Sequence, residues 1–319
     1  NFNKGFTENN IKMRSRYIFL FLLVSSLFSI TYAAGDINGT LTVDGLTREY
    51  ILHLPKNYGT EALPLVMVFH GGGGTAEQIK DHTKFNKLAD RENFIVVYPN
   101  SVDKNWSDGR IGDKLPKDRD DVKFISTMLD TLIANYKIRS GRVFATGISN
   151  GGFFSFYLAN KLSSRILAIA PVAANIPENL KDTWRTDVPI SLMLINGTKD
   201  PLVRYDGGPV GYKDEEGGRG SSISTDWTIK IWVDNNSCMP GTKTEEIEDT
   251  EDDGCKADME TYYKCGSGTK VVLVKVTGGG HTWPGASQYL PKMLVGTVCK
   301  DFNATEMIWS FFKSIPERE

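Results

Sequence analysis

The chain has 319 residues, 40% of them apolar, with 37 basic and 39 acidic side chains and a net charge of −2. That balance excludes a nucleic-acid or polyanion binder, which needs an excess of Lys and Arg. The apolar share is enough for a sizeable core.

Residues 1–12 precede Met13 and are polar and patternless, as expected of an upstream or disordered segment. Arg14 and Arg16 then lead into the apolar run 17–30, followed by Thr31-Tyr32-Ala33-Ala34. This order is that of a secretory signal over residues 13–33, cut after Ala33. The run is shorter than the ~20 residues a membrane span needs. The expected mature protein is secreted or periplasmic, with no stable membrane anchor.

Residues 34–319 read as one domain. Leu41 to Leu54 predicts a strand or hairpin around Asp44-Gly45, and Leu63 to Phe69 a strand covered on both faces. Thr75 to Asp90 predicts a helix capped by Thr75, and Phe94 to Tyr98 a further buried strand. Asp118 to Tyr136 has helical apolar spacing, with acidic residues in its first turn where the helix dipole favours them. Arg142 to Thr146 predicts a strand, Phe153 to Leu162 a helix, and Ile166 to Val172 and Pro189 to Ile195 strands. Trp227 to Val233 predicts a helix, Val271 to Val276 a strand, and Ala304 to Phe312 a terminal helix. Apolar strands alternating with amphipathic helices predict an α/β three-layer sandwich, a mostly parallel central sheet with helices on both faces. Ligands then bind beyond the carboxyl ends of the strands.

Four motifs fall at such strand ends. Gly147-Ile148-Ser149-Asn150-Gly151 joins a strand to a helix, the setting in which a serine sits exposed on a sharp turn and its partners follow in the order acid, histidine. Of the four histidines only His281 follows Ser149, in Gly278-Gly279-Gly280-His281-Thr282-Trp283-Pro284-Gly285. Between them Asp200 closes Asn196-Gly197-Thr198-Lys199-Asp200, just past a buried strand, where a carboxylate can accept the Nδ1 proton of the histidine. His70-Gly71-Gly72-Gly73-Gly74 follows the strand LPLVMVF. Its glycines let backbone approach a reacting carbonyl, so the N–H of Asn150 and that of Gly72, or alternatively Gly71, are the expected oxyanion donors. His70 is expected to shape that loop by hydrogen bonding. Trp106 and Trp283 are candidates to line a substrate cleft.

The four cysteines, Cys238, Cys255, Cys265 and Cys299, allow three disulfide pairings. A bridge between Cys238 and Cys265 would contribute about 3–4 kcal/mol by chain entropy. No C-x-x-C and no nearby His pair supports zinc, so neither metal nor cofactor is expected. The acidic stretch Glu245 to Asp253 is expected to be a solvated face, with a weak Ca²⁺ site as the sharper option.

With H-G-G-G-G, the D-D-V-x-F-I of Asp120 to Ile125, G-I-S-N-G-G and G-G-G-H-T-W-P-G in place, the chain resembles the polyhydroxybutyrate depolymerase/feruloyl esterase family of secreted α/β hydrolases. The resemblance covers roughly residues 36 to 315. It implies the α/β-hydrolase fold and metal-free carboxylic ester hydrolysis by Ser149 as nucleophile, Asp200 as acid and His281 as base. The partner implied is an ester: a hydroxyalkanoate, a feruloylated or acetylated polysaccharide, or a small short-chain ester. It also implies a bridge between Cys265 and Cys238, leaving Cys255 to Cys299. The glycine- and charge-rich loop Arg204 to Ser222 departs from the family and makes the substrate rim individual to this chain. A peptidase and a non-catalytic binding protein on the same scaffold are the rival readings.

Overall fold

The computed structural model describes residues 33–212 and 218–318. The expected upstream segment and all but the last residue of the expected signal lie outside the described residues. Among those described, no helix is long and apolar enough to cross a membrane.

The fold begins with a hairpin, β1 (Gly35–Val43) and β2 (Leu46–Leu54), turned at Asp44 and Gly45. Both turn residues have positive φ, 50° and 79°, the geometry whose twist suits a two-residue hairpin. There follow β3 (Leu63–Phe69), α1 (Ala76–Thr83), α2 (Phe85–Glu92), β4 (Ile95–Pro99), α3 (Asp121–Asn135), β5 (Ile138–Ile148) and α4 (Asn150–Lys161). Then come β6 (Ala168–Val172), β7 (Ser191–Gly197), a two-residue ladder of β8 (Gly208–Pro209) with β9 (Ser221–Ser222), and α5 (Thr225–Asn235). The chain closes with β10 (Thr242–Ile247), β11 (Lys256–Tyr262), β12 (Val271–Thr277), α6 (Lys292–Val295) and α7 (Ala304–Ser314).

Ten strands form one sheet in the order β1-β2-β4-β3-β5-β6-β7-β12-β11-β10. The six from β4 to β12 run parallel, and the pairs at either edge are antiparallel. The parallel strands are largely apolar, β5 only from Val143 onward, because both of their faces are covered there. On one face Val66, Val68, Ala168 and Val274 pack with Phe85 of α2 and Trp309 and Phe312 of α7. On the other, Phe69 meets Phe154 of α4 edge-on at 5.1 Å, and Phe156 meets Trp232 of α5 at 5.6 Å.

Two expectations change. The helix expected over Thr75 to Asp90 is two helices, because Lys84 takes the left-handed conformation (φ 56°) and ends α1. Thr75 does cap α1, accepting from the Gln78 N–H. The β10–β11 hairpin was not anticipated. Its outer strand, KTEEI flanked by exposed positions, buries no face and so carries no apolar alternation. Most of the acidic stretch from Glu245 to Asp253 lies here, on β10 and the turn after it, and it is largely exposed.

Candidate active site

The carboxyl ends of β5, β6, β7 and β12 lie level. Ile148 pairs with Val172, Val172 with Ile195, and Gly197 with Val276. Ser149, Asp200 and His281 follow β5, β7 and β12 respectively, so this register carries all three to one edge of the sheet.

Ser149 has φ 56° and ψ −123°, a strained conformation for a side-chain-bearing residue. The tight turn is possible because glycines flank it. A Cβ on Gly151 would stand 2.3 Å from the carbonyl oxygen of Phe69, and one on Gly147 2.6 Å from the same atom. The turn is tied down by the Ser149 N–H donating to Val172 and the Phe153 N–H donating to Ser149, at 3.0 and 2.8 Å.

Asp200 and His281 are both buried and share a 2.7 Å hydrogen bond between Nδ1 and Oδ2. The other carboxylate oxygen of Asp200 accepts from the N–H groups of Leu202 and Val203, each at 2.8 Å. The acid is thus oriented by backbone donors and keeps one oxygen for the imidazole. The two loops also touch directly, through a 2.9 Å hydrogen bond from the Lys199 N–H to Gly279. His281 is further fixed by its N–H donating to Val295 at 2.6 Å. The Tyr289 hydroxyl donates to the His281 carbonyl at 3.0 Å. Burial, with the Asp200 charge nearby, pushes that phenol well up. The structure therefore brings Asp200 and His281 together. Ser149 shares their edge of the sheet, but its hydroxyl is not hydrogen-bonded to His281 Nε2. Catalytic hydrogen bonds often tighten only when substrate is bound.

The glycine loop lies against the Ser149 turn. A Cβ on Gly71 would stand 3.6 Å from Ser149 Cβ, and one on Gly72 3.7 Å from Asn150 Cβ and 3.0 Å from Asn105 Oδ1. Among the described residues the N–H groups of Gly72 and Asn150 donate to no protein acceptor. His70 holds this loop. Its Nδ1 bonds the Gly71 carbonyl at 2.8 Å while Nε2 accepts from the Ser101 N–H at 3.2 Å, and burial pushes its pKa down to about 4.

A buried polar network escaped sequence reasoning. The Asn150 amide accepts from the Trp106 N–H at 2.7 Å and donates to the Trp106 carbonyl at 3.1 Å and to Asp108 at 2.6 Å. Asp108 is paired with Arg110 at 2.6 Å, and Asp121 binds both Arg48 at 2.6 Å and the Ser107 N–H at 2.7 Å. Segment 105–110 is thereby locked beside the glycine loop. The available signal was Asp121 itself, within the D-D-V-x-F-I motif.

Three expectations are corrected: the cleft roles of Trp106 and Trp283, and the pairing of Cys255 with Cys299. Trp106 is fully buried, stacked on Phe154 at 4.7 Å with its Nε1–H donated to the His70 carbonyl at 3.1 Å. Trp283 is buried too, donating to Thr305 Oγ1 at 3.0 Å and packing on Phe85. Both build the core beneath the site and neither lines a cleft. Cys238 and Cys265 form the implied bridge. Cys255 and Cys299 are not bridged and stand as buried thiols.

Comparison with known proteins follows the same lines. The family described as "Esterase PHB depolymerase" matches residues 48–176. The putative esterase NocK of Nocardia uniformis subsp. tsuyamanensis is 29% identical over 85% of this chain and 80% of its own length. Feruloyl esterase B of Piromyces equi is 27% identical over 73% of this chain, which spans only 42% of that protein. Poly(3-hydroxyalkanoate) depolymerase C of Paucimonas lemoignei is 28% identical over 83% of this chain and 65% of its own length. Among solved structures, the acetyl xylan esterase from Aspergillus awamori superposes with a TM-score of 0.58 at 16% identity, covering 87% of this chain and 99% of that one. The chain thus carries the α/β-hydrolase fold and resembles in sequence the family of polyhydroxybutyrate depolymerases and feruloyl esterases.

Proposed function

We propose that the protein is an exported serine esterase acting through Ser149, Asp200 and His281. The observation that carries this reading is the buried 2.7 Å bond between His281 Nδ1 and Asp200, formed at the same sheet edge as the strained Ser149. In the proposed cycle His281 Nε2 takes the Ser149 proton as the hydroxyl attacks the ester carbonyl. Asp200 holds the ring in the tautomer that leaves Nε2 free to accept, and stabilises the imidazolium. The N–H groups of Asn150 and Gly72, or Gly71 in place of Gly72, receive the oxyanion, a contribution of about 3 kcal/mol per donor. The proton returns to the leaving alcohol, and water then releases the acid from the acyl-serine.

The named activities of the relatives support a carboxylic ester as substrate: a hydroxyalkanoate, a feruloyl ester or an acetylated polysaccharide. Rates on hydroxybutyrate oligomers, methyl ferulate and acetylated xylan, measured side by side, identify the acid. Ser149→Ala is expected to lower kcat on the best of these by about 10⁴-fold or more with little change in KM. Wild-type turnover by that variant would refute the reading.

A further inference from the structure

Two buried thiols lie outside the catalytic constellation. Cys255 and Cys299 are 3% and 0% exposed, and their sulfurs and an Asp253 carboxylate oxygen all lie within 4.8 Å of one another. The two segments that carry them are already joined. Asp253 accepts from the N–H groups of Cys255 and Lys300, at 2.9 and 2.8 Å. Asp301 accepts from those of Thr250 and Glu251, at 3.0 and 3.1 Å. These bonds fix the 249–255 turn against the 299–301 segment with the sulfurs side by side.

The same two segments grip both ends of the loop that carries His281. At its start Gly278 (φ 83°) packs so closely on Gly254 that a Cβ would stand 2.3 Å from the Gly254 oxygen. At its end the Gly285 N–H donates to the Cys299 carbonyl at 2.8 Å. A covalent link between residues 255 and 299 would hold the two grips at a constant separation.

We propose that Cys255 and Cys299 are a redox modification site, which a small-molecule disulfide closes to a bridge that clamps the His281 loop at both ends. The Cys255 thiolate attacks one sulfur of the oxidant and expels one thiol, leaving a mixed disulfide. Cys299, losing its proton, attacks the Cys255 sulfur and expels the second thiol. Two electrons and two protons pass from the protein dithiol to the oxidant, which ends as two thiols. A groove of about 540 Å³ reaches Cys255 between Asp249, Glu251, Asp252 and Gly278, giving the oxidant an approach. Burial and the Asp253 carboxylate push the Cys255 thiol up to about 12, and burial pushes Cys299 up as well. Exchange in the folded protein is therefore slow at neutral pH, and the bridge once closed resists thiols. The effect of the clamp on catalysis, though not its formation, rests on the reading of His281 as base.

The test uses the full chain, purified without reductant and incubated with 2-hydroxyethyl disulfide, a neutral oxidant suited to an acid-lined groove. The protein is denatured, alkylated and digested without reduction. The expected result is a linked pair of peptides containing Cys255 and Cys299, lighter by two hydrogens than their sum, with neither cysteine alkylated. The bridged protein is expected to keep ester-cleaving activity several-fold longer at elevated temperature than Cys255→Ser/Cys299→Ser. Two alkylated cysteines, hydroxyethyl adducts alone, or a tightly held zinc ion that blocks bridging would overturn the proposal. So would a bridge that leaves the half-life equal to that of the variant. Should the variant not fold, bridged and unbridged wild-type protein supply the same comparison. A failure of the esterase reading is separable, because it removes activity from every form while the peptide linkage is still read.

Discussion

A serine held at φ 56° and ψ −123° is costly, by about 1–3 kcal/mol, and persists only where its surroundings enforce it. Motif, strand placement and chain order were enough to expect Ser149, Asp200 and His281 at the carboxyl ends of strands, where the structure has them, since each depends on local chemistry or on simple order. The Asn150–Asp108–Arg110 network was not legible, because a partner 42 residues away is a fact of tertiary structure. For the same reason Trp106 and Trp283 were misplaced: an aromatic residue near a catalytic motif looks alike in sequence whether it faces substrate or core. His70 allows a prediction. Its neutral ring is required by the loop, and its folded pKa of about 4 lies below the ordinary value of 6.5. Full stability is present above pH 6.5. As pH falls towards about 4 the unfolded chain binds a proton that the folded one refuses, so stability declines by about 3 kcal/mol in all. Urea unfolding at pH 7 and pH 4.5 should show this slope in the wild type and a flatter one in His70→Gln. Equal slopes would contradict it.

At the scale of elements, the parallel strands and the helices between them were readable because continuous apolar runs and 3.6-residue spacing follow directly from burial. The exceptions share a cause. Lys84 breaks a helix through a left-handed residue that its side-chain type does not signal. Strand β10 pairs through its backbone while exposing its side chains, so no periodicity marks it. The packing of α4 onto β3 makes a tight demand near the site. Gly151→Ala would put a methyl 2.3 Å from the Phe69 oxygen and 2.6 Å from that of His70, both backbone atoms that cannot swing aside. Equilibrium unfolding should find a loss of about 3 kcal/mol. Gly59→Ala, whose methyl would meet only an oxygen at 3.8 Å, should stay within about 0.5 kcal/mol of wild type. Similar losses from the two substitutions would show that the close approach is not what fixes the turn.

For the whole molecule, one sheet converts sequence distance into proximity. Ser149 and His281 lie far apart in the chain, yet β5, β6, β7 and β12 lie side by side with their carboxyl ends level. The Cys238–Cys265 bridge suits a chain that matures in an oxidising compartment. Export with cutting after Ala33 predicts that protein recovered outside the cytoplasm begins at Ala34, and an intact leader there would contradict it. The central claim is that Ser149 is activated by His281, and it is tested most directly by stoichiometric labelling with a fluorophosphonate probe. One label per chain, mapped to Ser149 and lost in His281→Gln, is the predicted result. No label on Ser149, or a label acquired at the same rate without His281, would contradict the claim.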